Sequence, residues 1–284
     1  MVQVKITAFG QYAEWVDDYC QNSSDPFIRD SGEMIRYCYD IDQQIPDVHG
    51  WCYSDVDSFR KQANKVLRLP RKFNKLYWTD QIGNIETYSI ITFWRGIELL
   101  KAAIRSINIH EVIVPAVLVR SLLELSCAYV VNANTLEKTF SDLTFPDEES
   151  YVVSRELEEL VVKMIWGTRL DDPAEHLKQK NVLTFIQKVT KNPDAKDVMP
   201  IYNFLCEIAH PSVIGNTRFF SHVEQTYPDG SEHRVISKFA NANYAEEILD
   251  KTIWSLGWSA YVLRKGFEIT REGISDLREK LEKI

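Results

Sequence analysis

Residues 112–131 read VIVPAVLVRSLLELSCAYVV, an almost unbroken apolar stretch long enough to cross a bilayer. Arg120 and Glu124 lie near its middle and Pro115 near its start. An ionised side chain at mid-membrane costs roughly 2.5 to 3.5 kcal/mol, so two of them argue against insertion. The stretch therefore predicts the buried central helix of a water-soluble bundle, with Pro115 tolerated in its first turn. No membrane segment is expected elsewhere. Arg120 and Glu124 are four residues apart, hence on one face of that helix, where they need partners.

Helical spacing dominates the flanking sequence. Short amphipathic helices are expected at 15–21 and 34–45, joined by the turn-rich NSSDPF. Ser54 is a candidate cap for a helix over 55–69, which Pro70 would interrupt. A longer helix is expected over 84–107, with Ile90, Phe93, Ile97, Leu100 and Ile104 on one face and Gly96 allowing close approach of a neighbour. Further helices are expected at 151–166, with Glu156, Glu158 and Glu159 on the wet face, and at 182–190 and 195–209. The segment TRFFSHVEQTYPDGSEHRVISKF breaks this pattern: two β-branched and aromatic runs around PDGS predict a hairpin at about 216–240. Asn243 and Glu246 have capping-box spacing for a long helix, which Gly273 would separate from a charged terminal helix. The expected fold is mainly α, a helical bundle with one inserted β-hairpin. An N-terminal helical region, 1–83, would pack on a main domain, 84–284.

Composition narrows the setting. With 45% hydrophobic residues, the 284-residue chain can bury a sizeable core. A formal charge of -8 argues against a surface generally coated by nucleic acid, though not against a local basic patch. The N-terminal MVQVKITAFGQYAEWVDDYC has no signal-like apolar run. Five widely separated cysteines without a Cys-x-x-Cys pair suit reduced thiols, so a cytoplasmic protein is expected. Cys127 and Cys206, in apolar segments, read as core thiols.

A second polar pair lies in YNFLCEIAHPSVIGN, residues 202–216, where Glu207 and His210 are three apart amid apolar neighbours. Arg120, Glu124, Glu207 and His210 are therefore expected to meet across a helix interface. One account is a satisfied internal network in which Arg120 pairs with the glutamates and His210 donates to a carboxylate or a backbone carbonyl. A metal site from Glu124, Glu207 and His210 is disfavoured, because there is a single helical Glu-x-x-His and Arg120 would repel a cation. No metal or cofactor is expected. The other account is acid-base chemistry on a phosphodiester, with His210 moving the proton and Arg120 stabilising phosphate charge.

Residues 60–75, RKQANKVLRLPRKFNK, carry Lys61, Lys65, Arg68, Arg71 and Lys72 with no acid among them. Phe59, Phe73, Tyr77 and Trp78 offer stacking surfaces, so the stretch reads as an RNA-contacting patch or as a solvated face pairing with the acidic helix near Glu156. The overall acidity favours the second. His222, Glu224, Glu232 and His233 of the hairpin read as surface residues.

VRSLLEL at 119–125 together with YNFLCEIAHPSVIGN resembles the signature of uncharacterised bacterial all-α domains bearing Arg-Ser-x-x-Glu and then Tyr-x-x-Leu-x-Glu-x-x-His-Pro. The resemblance spans about residues 91–239. Such domains are distantly similar to the HEPN superfamily, which includes metal-independent ribonucleases of toxin and antiphage systems alongside non-catalytic members. The resemblance implies a stress or antiphage-defence protein, an endoribonuclease using Arg120, Glu124, Glu207 and His210, or else a non-catalytic interaction or regulatory domain. It further implies RNA, a second copy of the chain and another defence protein as partners. Catalytic members carry an arginine a few residues before the histidine, whereas NFLCEIA precedes His210, so Arg120 would have to serve from another helix.

Overall fold

The computed structural model describes residues 10–146, 149–168, 173–238 and 242–284. Short helices come first: α1 (Glu14–Gln21), α2 (Pro26–Arg29) and α3 (Ser31–Asp42). Asp25 caps α2 by accepting the Phe27 amide, and Pro26 occupies its first turn, where a missing N–H costs nothing. α4 (Val56–Val66) is capped by Asp55, whose Oδ1 accepts the Ser58 amide at 2.7 Å, rather than by the expected Ser54.

Pro70 does not merely end one helix; it begins another. α5 runs unbroken from Pro70 to Asn108, about 58 Å at 1.5 Å per residue, so the expected start at residue 84 is corrected. The proline is compatible because it stands in the first turn, whose amides have no intrahelical acceptor. The anticipated division at 83/84 falls inside this helix.

α6 (Ile113–Asp142) contains the apolar stretch and is long and apolar enough by composition to cross a membrane. Here it packs against α5, against α8 (Val182–Val189) and α9 (Val198–Ala209), and most extensively against α10 (Ala242–Glu282). Leu122, Leu123, Cys127 and Tyr129 are buried in the interior it shares with these helices. α10 continues through Gly273, which was expected to end it. A Cβ there would stand 3.0 Å from the Phe140 ring, so this glycine serves close packing against α6. Gly96 does what its sequence suggested: a Cβ at this position would lie 2.4 Å from Leu263 of α10. The proposed cap at Asn243 involves a side chain outside the described residues.

The interior divides into two clusters along these long helices. The larger joins the middle and end of α5 and the first part of α6 to α8, α9, α10 and the N-terminal helices. The smaller gathers Trp78, Ile85, Phe140, Leu277 and Leu281 with Leu157 and Val161 of α7 (Arg155–Trp166). In this second cluster Trp78 Nε1 donates to the Val152 carbonyl at 3.0 Å and Tyr77 Oη to that of Ser154 at 3.1 Å, fastening the segment before α7.

Strands β1 (Ser221–Thr226) and β2 (Glu232–Ile236) form the expected antiparallel hairpin. Gly230 takes φ 83° in its turn, a conformation open to glycine. Both strands are largely exposed.

Candidate functional site

The polar contacts between α6 and α9 begin with the Arg120/Glu124 pair. Arg120 Nη2 meets Glu124 Oε1 at 2.9 Å, and the two side chains retain only 23% and 25% exposure, so water screens them weakly. α9 supplies Tyr202 and Cys206, one helical turn apart and both facing α6. Tyr202 Oη donates to Glu124 Oε1 at 2.9 Å. Arg120 Nε donates to Cys206 Sγ at 3.1 Å and its Nη2 to Tyr202 Oη at 3.5 Å. The guanidinium carbon lies 5.6 Å from the Tyr202 ring centroid, adding a cation-π contact.

Burial alone would make the Arg120 guanidinium easier to deprotonate. Its hydrogen bonds to Tyr202 and Cys206 and the charge of Glu124 outweigh that effect and keep its pKa above the ordinary range. The Tyr202 phenol is pushed up to about 12, chiefly by burial, with the Glu124 carboxylate adding to the rise and Arg120 opposing it. Both therefore hold their protons throughout the neutral range.

Glu207 and His210 are not part of this cluster. Both are exposed and neither side chain makes a hydrogen bond or ion pair among the described residues, which corrects the expected four-residue network. The reason is helical phase. Ile201, Tyr202, Leu205 and Ile208 form the buried face of α9, and Glu207 is two residues beyond Leu205, on the opposite side. α9 ends at Ala209, and His210 has extended backbone, φ −105° and ψ 157°, so it leaves the helix. The two residues instead contribute backbone carbonyls to the helix end: Ser212 Oγ donates to that of Glu207 at 2.6 Å and the Ser212 amide to that of His210 at 2.7 Å. Tyr202 and Cys206, which sequence reasoning missed as members, had a visible signal in their four-residue spacing on the same apolar helix. Cys206 is half-buried, whereas Cys127 is a core thiol pushed up to about 12 by burial.

The basic stretch keeps Lys61, Lys65, Arg68, Arg71 and Lys72 exposed on α4, the turn after it and the start of α5. Arg60 pairs with Asp57 at 3.3 Å, and on α7 Glu159 pairs with Arg155 at 3.2 Å. Among the described residues Lys61, Lys65, Arg68 and Lys72 make no ion pair with the acidic α7. Tyr77 and Trp78, expected as stacking surfaces, are core residues at 2% and 0% exposure and are unavailable to a base. Phe59 and Phe73 are half-buried.

On the hairpin, His233 Nδ1 lies 3.0 Å from Glu224 Oε2 with both groups exposed. Among the described residues no three His, Cys, Asp or Glu side chains converge as metal ligands would. No family model, curated protein or solved structure matches the chain.

Proposed function

We propose that the chain acts as a non-catalytic helical interaction or regulatory domain, in which Arg120, Glu124, Tyr202 and Cys206 hold α6 and α9 in register. One observation carries this reading. Arg120, the cation required for phosphate chemistry, is engaged by Glu124, Tyr202 and Cys206, while His210 stands apart from it in solvent. A partly buried ion pair within one helix, whose members also hydrogen-bond to the next, fixes the relation of the two helices whether or not it performs chemistry. The test is incubation of the purified protein with RNA in chelator: no cleavage is expected, and His210→Ala should melt with the parent. Chelator-insensitive cleavage that His210→Ala abolishes without lowering the melting temperature would overturn the reading.

The second reading is a HEPN-like metal-independent endoribonuclease built from two copies. It draws on the exposure of His210 together with nearby Val213, which is 65% exposed and leaves the end of α9 open to a second chain. Sedimentation at high concentration tests it, since a strictly monomeric chain removes the assembly it needs.

A further inference from the structure

A sizeable cleft lies at the other end of the long helices. It encloses about 800 Å³ between the loop around Trp51, α4, the first half of α5 and the last turns of α10. This volume is in the range of small-molecule sites. Trp51, Phe59, Leu76 and Ile82 give it aromatic and aliphatic walls.

Its charges do not balance. Asp80, Glu86 and Glu282 line it against Lys75 and Arg278, Arg278 is engaged by Glu86 at 2.9 Å, and the one lining imidazole, His49, has its Nε2 on Thr87 Oγ1 at 3.1 Å. Asp80 makes no ion pair among the described residues. Lys75 is five residues earlier on α5, roughly 140° around the helix, and does not reach it. Among the described residues the one side-chain hydrogen bond to the Asp80 carboxylate comes from Asn84 Nδ2 at 3.2 Å, and Asn84 Oδ1 in turn accepts Trp51 Nε1 at 3.0 Å. Burial raises the Asp80 carboxyl above its ordinary pKa, with Asn84 opposing, and among the described residues no cation pairs with it to offset the cost of its charge. A carboxylate left without a cation in an aromatic-walled cleft fits a ligand that brings the missing positive charge.

We propose that this cleft binds a small organic cation, an amine with an apolar body, whose ammonium group pairs with Asp80 while its body lies against Trp51 and Phe59. The proposal does not depend on the role of the α6/α9 cluster. The Trp51–Asn84–Asp80 chain supplies its own reporter, because a change at the carboxylate alters the hydrogen bond made by the indole N–H. The experiment follows the Trp51 indole cross-peak in proton–nitrogen correlation spectra, assigned with Trp51→Phe, as benzylammonium chloride is added at constant ionic strength. A shift saturating with a Kd at or below about 10 mM is expected, a modest affinity for one ion pair and one ring. Benzyl alcohol, of the same shape without the charge, should give no saturable shift. Asp80→Asn, which keeps the shape and the Asn84 neighbour, should weaken the response at least about tenfold with an unchanged far-ultraviolet spectrum. A non-saturating response, equal shifts from benzyl alcohol, or an undiminished response in Asp80→Asn would each overturn the proposal.

Discussion

The two ends of the long-helix bundle treat a carboxylate in opposite ways. Where α6 meets α9, Glu124 receives Arg120 and the Tyr202 hydroxyl within 2.9 Å. Where α5 begins and α10 finishes, Asp80 has, among the described residues, only the Asn84 amide. The first arrangement is closed by the protein's own groups and supports a structural role. The second leaves a charge incompletely answered beside open space, the condition under which a ligand gains most from supplying the partner. An ionisable residue on a half-apolar helix thus indicates that something must meet it, and only its neighbours decide whether that is another helix or a bound molecule.

The largest expected effect tests whether the cleft rests on a real core. Trp78→Ala should destabilise the fold by about 3 to 5 kcal/mol in chemical denaturation, since it empties a fully buried site and orphans the Val152 carbonyl. A near-neutral result accompanied by weaker RNA binding would return Trp78 to the surface role that its sequence context suggested. At the closed end, Arg120→Met should cost about 2 kcal/mol, between exposed and fully buried pairs, because Glu124 keeps its charge and loses its cation. Adding Glu124→Met should recover much of that loss, and strict additivity in the double-mutant cycle would deny that the pair is coupled.

Asp80→Asn should have the reverse sign. A carboxyl whose pKa is raised in the folded chain favours the fold below the unfolded pKa and loses that contribution as pH rises through the folded one. The substitution should therefore stabilise the protein at neutral pH, by less than about 1 kcal/mol given the partial exposure, and the gain should vanish in acid. Destabilisation at pH 7 would show that Asp80 has a cationic partner after all. The smallest change is expected from His210→Ala, within about 0.5 kcal/mol of the parent, as for an exposed side chain without partners among the described residues. A loss several times larger would bring His210 back into the interface.

The apolar run of α6 with its internal Arg120 and Glu124, the helical period through Ile90, Phe93, Ile97, Leu100 and Ile104, and the turn chemistry of PDGS determined a mainly helical chain with one hairpin. These are local signals, repeated over several turns or set by the backbone demands of one turn, so they survive without knowledge of the partners. Boundaries were less legible where one residue type has two uses. Pro70 opens α5 although proline also ends helices, and Gly273 lets α10 approach Phe140 although glycine also terminates helices. The sequence likewise showed that Arg120 and Glu124 share a face, since a separation of four guarantees it on any helix. It did not show that α9 would turn Tyr202 and Cys206 toward them and leave Glu207 and His210 in water. That choice depends on where α9 stops and which of its faces α6 and the neighbouring core bury, because a shift of one residue rotates a side chain by about 100°. The cleft around Asp80 is still more a product of tertiary structure: its walls come from the Trp51 loop, α4, α5 and α10, and a missing partner becomes visible only when every neighbour has been placed.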